Sequence, residues 1–108
     1  MPVLPAIILH VPWMRANGMA LFPFVLIRKK NPSEVLLNHE RIHLYQQVEL
    51  LIIPFYIWYV LEYGWHRLKG KRHYEAYRSI SFEEEAFAHD QDADYLQKRR
   101  FWAFWRYF

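Results

Sequence analysis

The segment that begins at Asn31 is the strongest constraint on the fold, because its sequence has the signals of a long helix. Asn31 can cap a helix, Pro32 suits the first helical position, and Glu34 follows the cap by three residues. The helix is predicted to run from about residue 32 to 53, where Pro54 removes a backbone N–H. The apolar run 50–61 is predicted to continue as a kinked helix.

Two apolar runs rich in β-forming residues precede this helix, at 6–13 and 19–27. Between them lies Asn17-Gly18, which is the strongest short signal for a hairpin turn. Pro23 cannot donate to a β-ladder, so the second run is predicted to be an edge strand. The N-terminal part is therefore predicted to form a short β-hairpin that packs on the helices.

A last helix is predicted from about residue 82 to 100. It follows a capping box at 81–84 and carries acidic residues early and basic residues late, as the helix dipole favours. With 108 residues the chain is predicted to be a single domain spanning 1–108. Its predicted fold class is mainly α (α+β).

Composition limits the function. The chain has no cysteine, which excludes disulfides and a thiolate nucleophile, so a metal site must use histidine and carboxylate ligands. Hydrophobic residues make up 54% of the chain, which excludes a disordered protein. The net charge of +3 is too small to imply nucleic-acid binding, and no nucleic-acid partner is expected.

The motif HExxH spans residues 39–43 inside the first predicted helix. Helical spacing places His39 and His43 on one face, one turn apart, so that both imidazoles can reach one metal ion. Glu40 is rotated by about 100° from His39, which suits a general base beside the metal. The motif therefore predicts two Zn²⁺ ligands and a base. The alternative is a pair of core histidines with a surface glutamate between them.

A zinc hydrolase needs a third protein ligand. The elongated motif with a third histidine is excluded, because Gln46 and Glu49 stand at the positions of its glycine and histidine. The later helix offers three consecutive glutamates, of which Glu83 and Glu85 flank its apolar face while Glu84 points to solvent. Periodicity does not choose between Glu83 and Glu85.

HExxH followed by a helix with E-x-x-A at 83–86 resembles the gluzincin arrangement. It is especially similar to the CAAX prenyl protease and HtpX-type membrane metallopeptidases, whose later motif is E-x-x-A-D. The resemblance implies a zincin-like helix pair in which His39, His43 and Glu83 bind zinc and Glu40 is the base. Phe87 departs from this pattern, because the family has aspartate there. The segment 38–50 and the FExEAF block also resemble a group of small bacterial proteins of about this length.

The resemblance implies a zinc-dependent hydrolase, and specifically a small membrane-associated metallopeptidase acting on a peptide or protein substrate. One alternative is a non-catalytic membrane-associated or partner-binding helical protein with a structural or vestigial metal site. Another is a zinc amidase acting on a non-protein amide. The sequence leaves open whether the chain is catalytically active.

Other side chains could support such a site. Tyr77 is the predicted hydrogen-bond donor to an oxyanion, with His73, Tyr74 and Arg78 as further candidates. Asp90 lies seven residues after Glu83 and could orient a zinc-bound histidine, although a plain surface aspartate is an alternative. A second cation site is conceivable on the i, i+4, i+7 edge, although a solvated acidic edge is favoured there; its residues are Glu85, His89 and Asp92.

Two segments suit an anionic membrane surface. The run 50–61 is about 18 Å long as a helix, too short to span a bilayer. Its aromatic end resembles an interfacial anchor and comprises Tyr56, Trp58, Tyr59, Tyr63 and Trp65. The tail 98–108 combines cations with aromatic rings. The chain is therefore expected to be membrane-associated, peripheral or partly embedded, or else cytoplasmic with these rings in its core.

Overall fold

Helices dominate the fold, and a small sheet lies at its N-terminal end, which confirms the mainly α (α+β) class. The computed structural model describes Leu4 and residues 6–108. A 3₁₀ helix, Ala103–Tyr107, lies close to the C-terminus. The strands and α-helices are, in chain order, β1 (Ile7–His10), β2 (Gly18–Leu21), β3 (Phe24–Ile27), α1 (Glu34–Leu50), α2 (Ile52–Leu68), α3 (His73–Ser79), α4 (Ser81–His89) and α5 (Tyr95–Lys98).

The sheet has the strand order β1-β3-β2, with β1 parallel and β2 antiparallel to β3. The hairpin predicted at Asn17-Gly18 is wrong, because β1 and β2 do not pair with each other. Instead β2 and β3 form the hairpin, and Phe22 and Pro23 connect them. Pro23 thus lies in a turn that needs no ladder donor, and β3 is the central strand rather than an edge.

The first predicted helix divides into two. Ser33, rather than Asn31, caps α1 by accepting a hydrogen bond from the Leu36 N–H at 3.1 Å. At Leu51 the backbone turns to a φ of 67°, and α2 leaves at 111° to α1. Pro54 lies in the first turn of α2, where the missing N–H breaks no helical hydrogen bond. A kink was predicted at Pro54, but the structure has a sharp break between two helices at Leu51, three residues earlier.

The last predicted helix is also divided, since α4 ends at His89 and α5 begins at Tyr95. Asn38 of α1 explains the break, because its side-chain amide donates to the backbone carbonyls of His89, Asp90 and Asp92 at 3.4, 3.0 and 2.9 Å. Because Asn38 supplies these carbonyls with a hydrogen-bond donor, the helix can end here without leaving them unpaired.

The predicted capping box is replaced by a contact between helices. Ser81 is the first residue of α4, and its backbone N–H and hydroxyl both donate to the Glu62 carboxylate, at 2.9 and 2.6 Å. A carboxylate at a helix N-terminus also suits the helix dipole. Glu62 thereby fixes the start of α4 against α2.

One ring of the aromatic C-terminal segment, residues 99–108, is part of the core. Phe104 is fully buried, and its ring centroid lies 4.7 Å from that of Phe82 and 5.5 Å from that of Trp58. Phe55 and Ile80 complete this buried cluster. Part of the aromatic content is thus used in packing between α2, α4 and the C-terminal segment.

Phe104→Ala should destabilise the protein by about 3–5 kcal/mol, because it removes a buried ring and leaves a cavity. Phe101→Ala is the matched control, since Phe101 is in the same tail but is 67% exposed. Denaturant unfolding of both variants measures the difference. Equal, small losses would show that the tail does not pack as described.

No single helix among the described residues is long and apolar enough to cross a membrane. Together α1 and α2 pass that test of length and composition, but the 111° angle separates them.

Candidate metal centre

Two helices bring three potential ligands together. His39 and His43 lie one turn apart on α1, both buried, and Glu83 projects from the first turn of α4. The Nε2 atoms of both histidines lie 3.1 Å from Glu83 Oε1. This buried group could hold a metal ion. Tetrahedral zinc with bonds of about 2.0–2.1 Å has ligand atoms about 3.3 Å apart, which is close to the distance from each Nε2 to Glu83 Oε1.

The other nitrogen of each imidazole already has a partner. His39 Nδ1 lies 3.0 Å from Asp90 Oδ2, and His43 Nδ1 lies 2.7 Å from Gln46 Oε1. Both partners accept, so each Nδ1 carries a proton, and each Nε2 faces Glu83 Oε1, where a metal ion can take the place of a shared proton. Metal-binding histidines are typically held in this way. Asp90 therefore makes the contact predicted for it, and Gln46 was not anticipated.

The electrostatics of the group also favour a cation. Three acceptor atoms converge, and a proton or a metal ion is needed to hold them together. Burial alone would lower the pKa of His43, but the charge of Glu83 and its hydrogen bond raise that pKa to about 9. Burial likewise opposes ionisation of Glu83, yet the charge of His43 and the hydrogen bonds from His39 and His43 hold its pKa below the usual range.

Glu40 is buried beside these ligands without belonging to the group. Burial raises its pKa, and the charges of His43 and His39 only partly offset that rise. Strand β2 approaches it closely, because a Cβ on Gly18 would lie 3.2 Å from Glu40 Oε2. Gly18 was predicted to form a turn, but it lies in β2 and makes room for this carboxylate.

Tyr59, which was predicted to belong to a membrane anchor, instead forms a hydrogen bond with Glu83. Tyr59 donates a hydrogen bond of 2.6 Å to Glu83 Oε2, which leaves Oε1 directed at the histidines. Its position one turn after the buried Phe55 is the signal that could have identified it as inward-facing. Burial, and next the charge of Glu83, raise the pKa of Tyr59, so the phenol keeps its proton as a donor.

The site opens into a cavity of about 720 Å³. Tyr77, the predicted oxyanion donor, lines it, as do the other candidates His73 and Tyr74. Burial, followed by the charge of Glu83, raises the pKa of Tyr77 and keeps its hydroxyl protonated. Arg78 instead lies over the Phe87 ring, 3.8 Å from its centroid. The other walls are mainly apolar and include Met19, Leu36, Phe55, Tyr56 and Phe87.

The residues considered for a second cation do not converge. Glu85 binds the Arg99 guanidinium at 2.6 Å, and His89 Nε2 lies 2.7 Å from the Tyr107 hydroxyl. Asp92 pairs with Lys98 at 2.7 Å. Among the described residues, Leu4 and 6–108, one group has its ligand atoms close enough together to hold a metal ion: His39, His43 and Glu83.

Glu85 supports the site indirectly. Gln46 donates through Nε2 to Glu85 Oε1 at 2.9 Å, while its own Oε1 faces His43. Arg99 in turn holds Glu85 and makes two hydrogen bonds to Glu49. A buried chain of polar contacts thus runs from His43 to the C-terminal segment, and it fixes the orientation of this imidazole.

Replacing Glu83 should mainly affect zinc binding, whereas replacing Glu85 should mainly affect folding stability. Glu83→Ala should lower zinc affinity more than 100-fold, since even the loss of an outer contact costs about 10–100-fold. Glu85→Ala should instead cost about 3 kcal/mol of folding stability, because it leaves the buried Arg99 partly unpaired. Zinc titration and denaturant unfolding on both variants separate these effects. A larger loss of zinc affinity in Glu85→Ala would reverse the assignment.

Comparison of the chain with protein-family models, curated proteins and solved structures finds no match.

Proposed function

We propose that this chain is a zinc-dependent hydrolase that cleaves a peptide bond, with His39, His43 and Glu83 as the metal ligands. One observation carries the proposal: two imidazole Nε2 atoms and a carboxylate oxygen converge while Asp90 and Gln46 hold both Nδ1 atoms. Imidazole and carboxylate ligands suit Zn²⁺, and three protein ligands are typical of catalytic zinc sites.

The neighbouring side chains support hydrolysis rather than metal storage. Zinc, when bound, would supply a Lewis acid that polarises the substrate carbonyl and acidifies a water molecule. Glu40 would take a proton from the attacking water and deliver it to the departing amine nitrogen. Tyr77 can donate a hydrogen bond to the carbonyl oxygen as negative charge develops there. Tyr59 keeps Glu83 oriented throughout.

The shape of the cavity favours a peptide over a small non-protein amide. Strand β2 lies at the edge of the sheet, and its residues Gly18, Met19 and Ala20 line the cavity near Glu40. An edge strand can pair with an extended peptide through backbone hydrogen bonds. The Ala20 carbonyl oxygen already accepts from Gln47 and Tyr56, so such pairing would use the part of β2 before Ala20. The apolar and aromatic walls would accept hydrophobic side chains of the substrate.

The proposal is tested by incubating the zinc-loaded protein with a peptide library, with and without lipid vesicles. Cleavage that is lost on chelation and restored by zinc supports the proposal. Glu40→Gln is the control for the chemical step. Zinc binding without cleavage of any peptide would favour the alternative of a non-catalytic protein with a structural metal site.

A further inference from the structure

The outward side of α2 is apolar along its whole length. Six large side chains on this side are between 56% and 85% exposed, and we call them the α2 outer face: Ile53, Ile57, Val60, Leu61, Trp65 and Leu68. With 100° per residue they fall within an arc of about 140°, which also contains Pro54 and Gly64. All of α2 is described, and no polar side chain lies within this arc.

Three polar side chains of α2 point inward instead, and its exposed cation, Arg67, lies just outside the arc. Glu62 binds Ser81, Tyr59 binds Glu83, and the Tyr56 hydroxyl donates to the Ala20 carbonyl oxygen. A helix on the surface of a water-soluble protein normally has the opposite arrangement, with its charges outside. Extended apolar surface of this kind marks an interaction site.

The C-terminal segment extends the same surface. Trp105 and Phe108 are 56% and 69% exposed, and their ring centroids lie 6.0 and 5.5 Å from that of Trp58 on α2. Most of the aromatic residues predicted as an anchor, including Trp58 itself, are at least half-buried, and Trp65 is the exposed one. The outer face is therefore mainly aliphatic, with aromatic rings at its borders.

Positive charge lies at the end of this face. Residues 67–72 contain four cations and no acid, at Arg67, Lys69, Lys71 and Arg72. Lys69 Nζ lies 5.5 Å from the centroid of the Trp65 ring, so this charge borders the face directly. An apolar strip with aromatic rings and adjacent cations is typical of helices that lie in a membrane interface.

We propose that the α2 outer face docks on the surface of a bilayer that contains anionic lipids, with α2 lying in the membrane plane. Cations beside an apolar strip complement the negative surface of such a bilayer. A second copy of the chain fits less well, because the only acid on α2, Glu62, is already bound to Ser81. Tyr59 and the metal centre lie on the other side of α2, so docking leaves the cavity open and does not depend on the proposed hydrolysis.

The apolar part of the proposal is tested by co-sedimentation with vesicles of phosphatidylcholine, alone or mixed equally with phosphatidylglycerol. Val60→Glu should weaken binding to the mixed vesicles at least tenfold, because it places a carboxylate within the apolar face. Val48→Glu is the matched control, since Val48 is exposed on α1 and outside the face. It should bind like the unmodified protein.

The charged part has its own test, with exposed residues whose replacement does not disturb the core. Arg67→Gln combined with Lys69→Gln should weaken binding to the mixed vesicles about 25-fold, at about fivefold for each cation, and leave binding to neutral vesicles unchanged. Lys29→Gln combined with Lys30→Gln removes two exposed cations from the loop before α1 and should have little effect.

Two results would overturn the proposal. One is a protein that does not bind mixed vesicles, or that binds them equally well with Val60→Glu. The other is a stable dimer that Val60→Glu converts to a monomer without any vesicle binding, which would show that a second copy covers the face.

Discussion

Purified protein should contain about one zinc ion per chain, and the double variant His39→Ala/His43→Ala should contain none. The two imidazoles are two of the three candidate ligands, and both are already oriented through Nδ1. Loss of an outer contact alone costs about 10–100-fold in metal affinity, so the loss of two direct ligands should cost far more. Elemental analysis after dialysis against a weak chelator measures the stoichiometry.

The matched control is His10→Ala, which removes an exposed histidine of β1 far along the chain from the site. It should keep one zinc per chain. Thermal melts give an independent measurement, because zinc at 1,000 times its dissociation constant should stabilise the folded protein by about 4 kcal/mol. That stabilisation should disappear in the double variant. Full zinc occupancy in the double variant would place the metal elsewhere.

The identity of the metal is part of the same prediction. Two histidines and a carboxylate with open positions also suit Fe²⁺ in oxygenases. A base beside the metal is what hydrolysis requires, and Glu40 is buried next to the three candidate ligands. We therefore expect zinc to restore hydrolysis after chelation. Restoration of a different activity by iron alone would contradict the hydrolase proposal.

The parts of the site that depend on local spacing could be predicted from the sequence. His39 and His43 lie on one helix at i, i+4, and the helix geometry alone places them together. The face of α4 that carries Glu83 follows from periodicity, and the choice of Glu83 over Glu85 came from the resemblance. The structure brings Glu83 to the histidines and gives Glu85 to Arg99.

The parts that depend on distant contacts could not be predicted. Asn38 ends α4 from 51 residues away, and Glu62 binds the start of the same helix from α2. Neither contact leaves a pattern within a short window of sequence. The pairing of β1 with β3 is equally remote, because a hairpin signal describes only neighbouring strands. Tyr59 was assigned to a membrane anchor for the same reason, since its partner lies on another helix.

Glu40→Gln should lower the rate of hydrolysis by about 10²–10⁴-fold while zinc remains bound. The amide has nearly the same shape as the carboxylate, so the buried position of Glu40 beside Gly18 should be kept. An amide cannot take a proton from water at neutral pH, and the general base is therefore lost. Burial raises the pKa of Glu40, which makes its carboxylate a stronger base than one in water.

The control for this variant is Glu34→Gln, which makes the same chemical change at an exposed position in the first turn of α1. It should retain both zinc and activity. Turnover of a cleaved peptide and zinc content should be measured on the same samples, because a loss of both would mean only a damaged site. A Glu40→Gln protein that keeps its zinc and most of its activity would remove Glu40 from the chemical step. The role of base would then have to pass to another group that lines the cavity, such as His73.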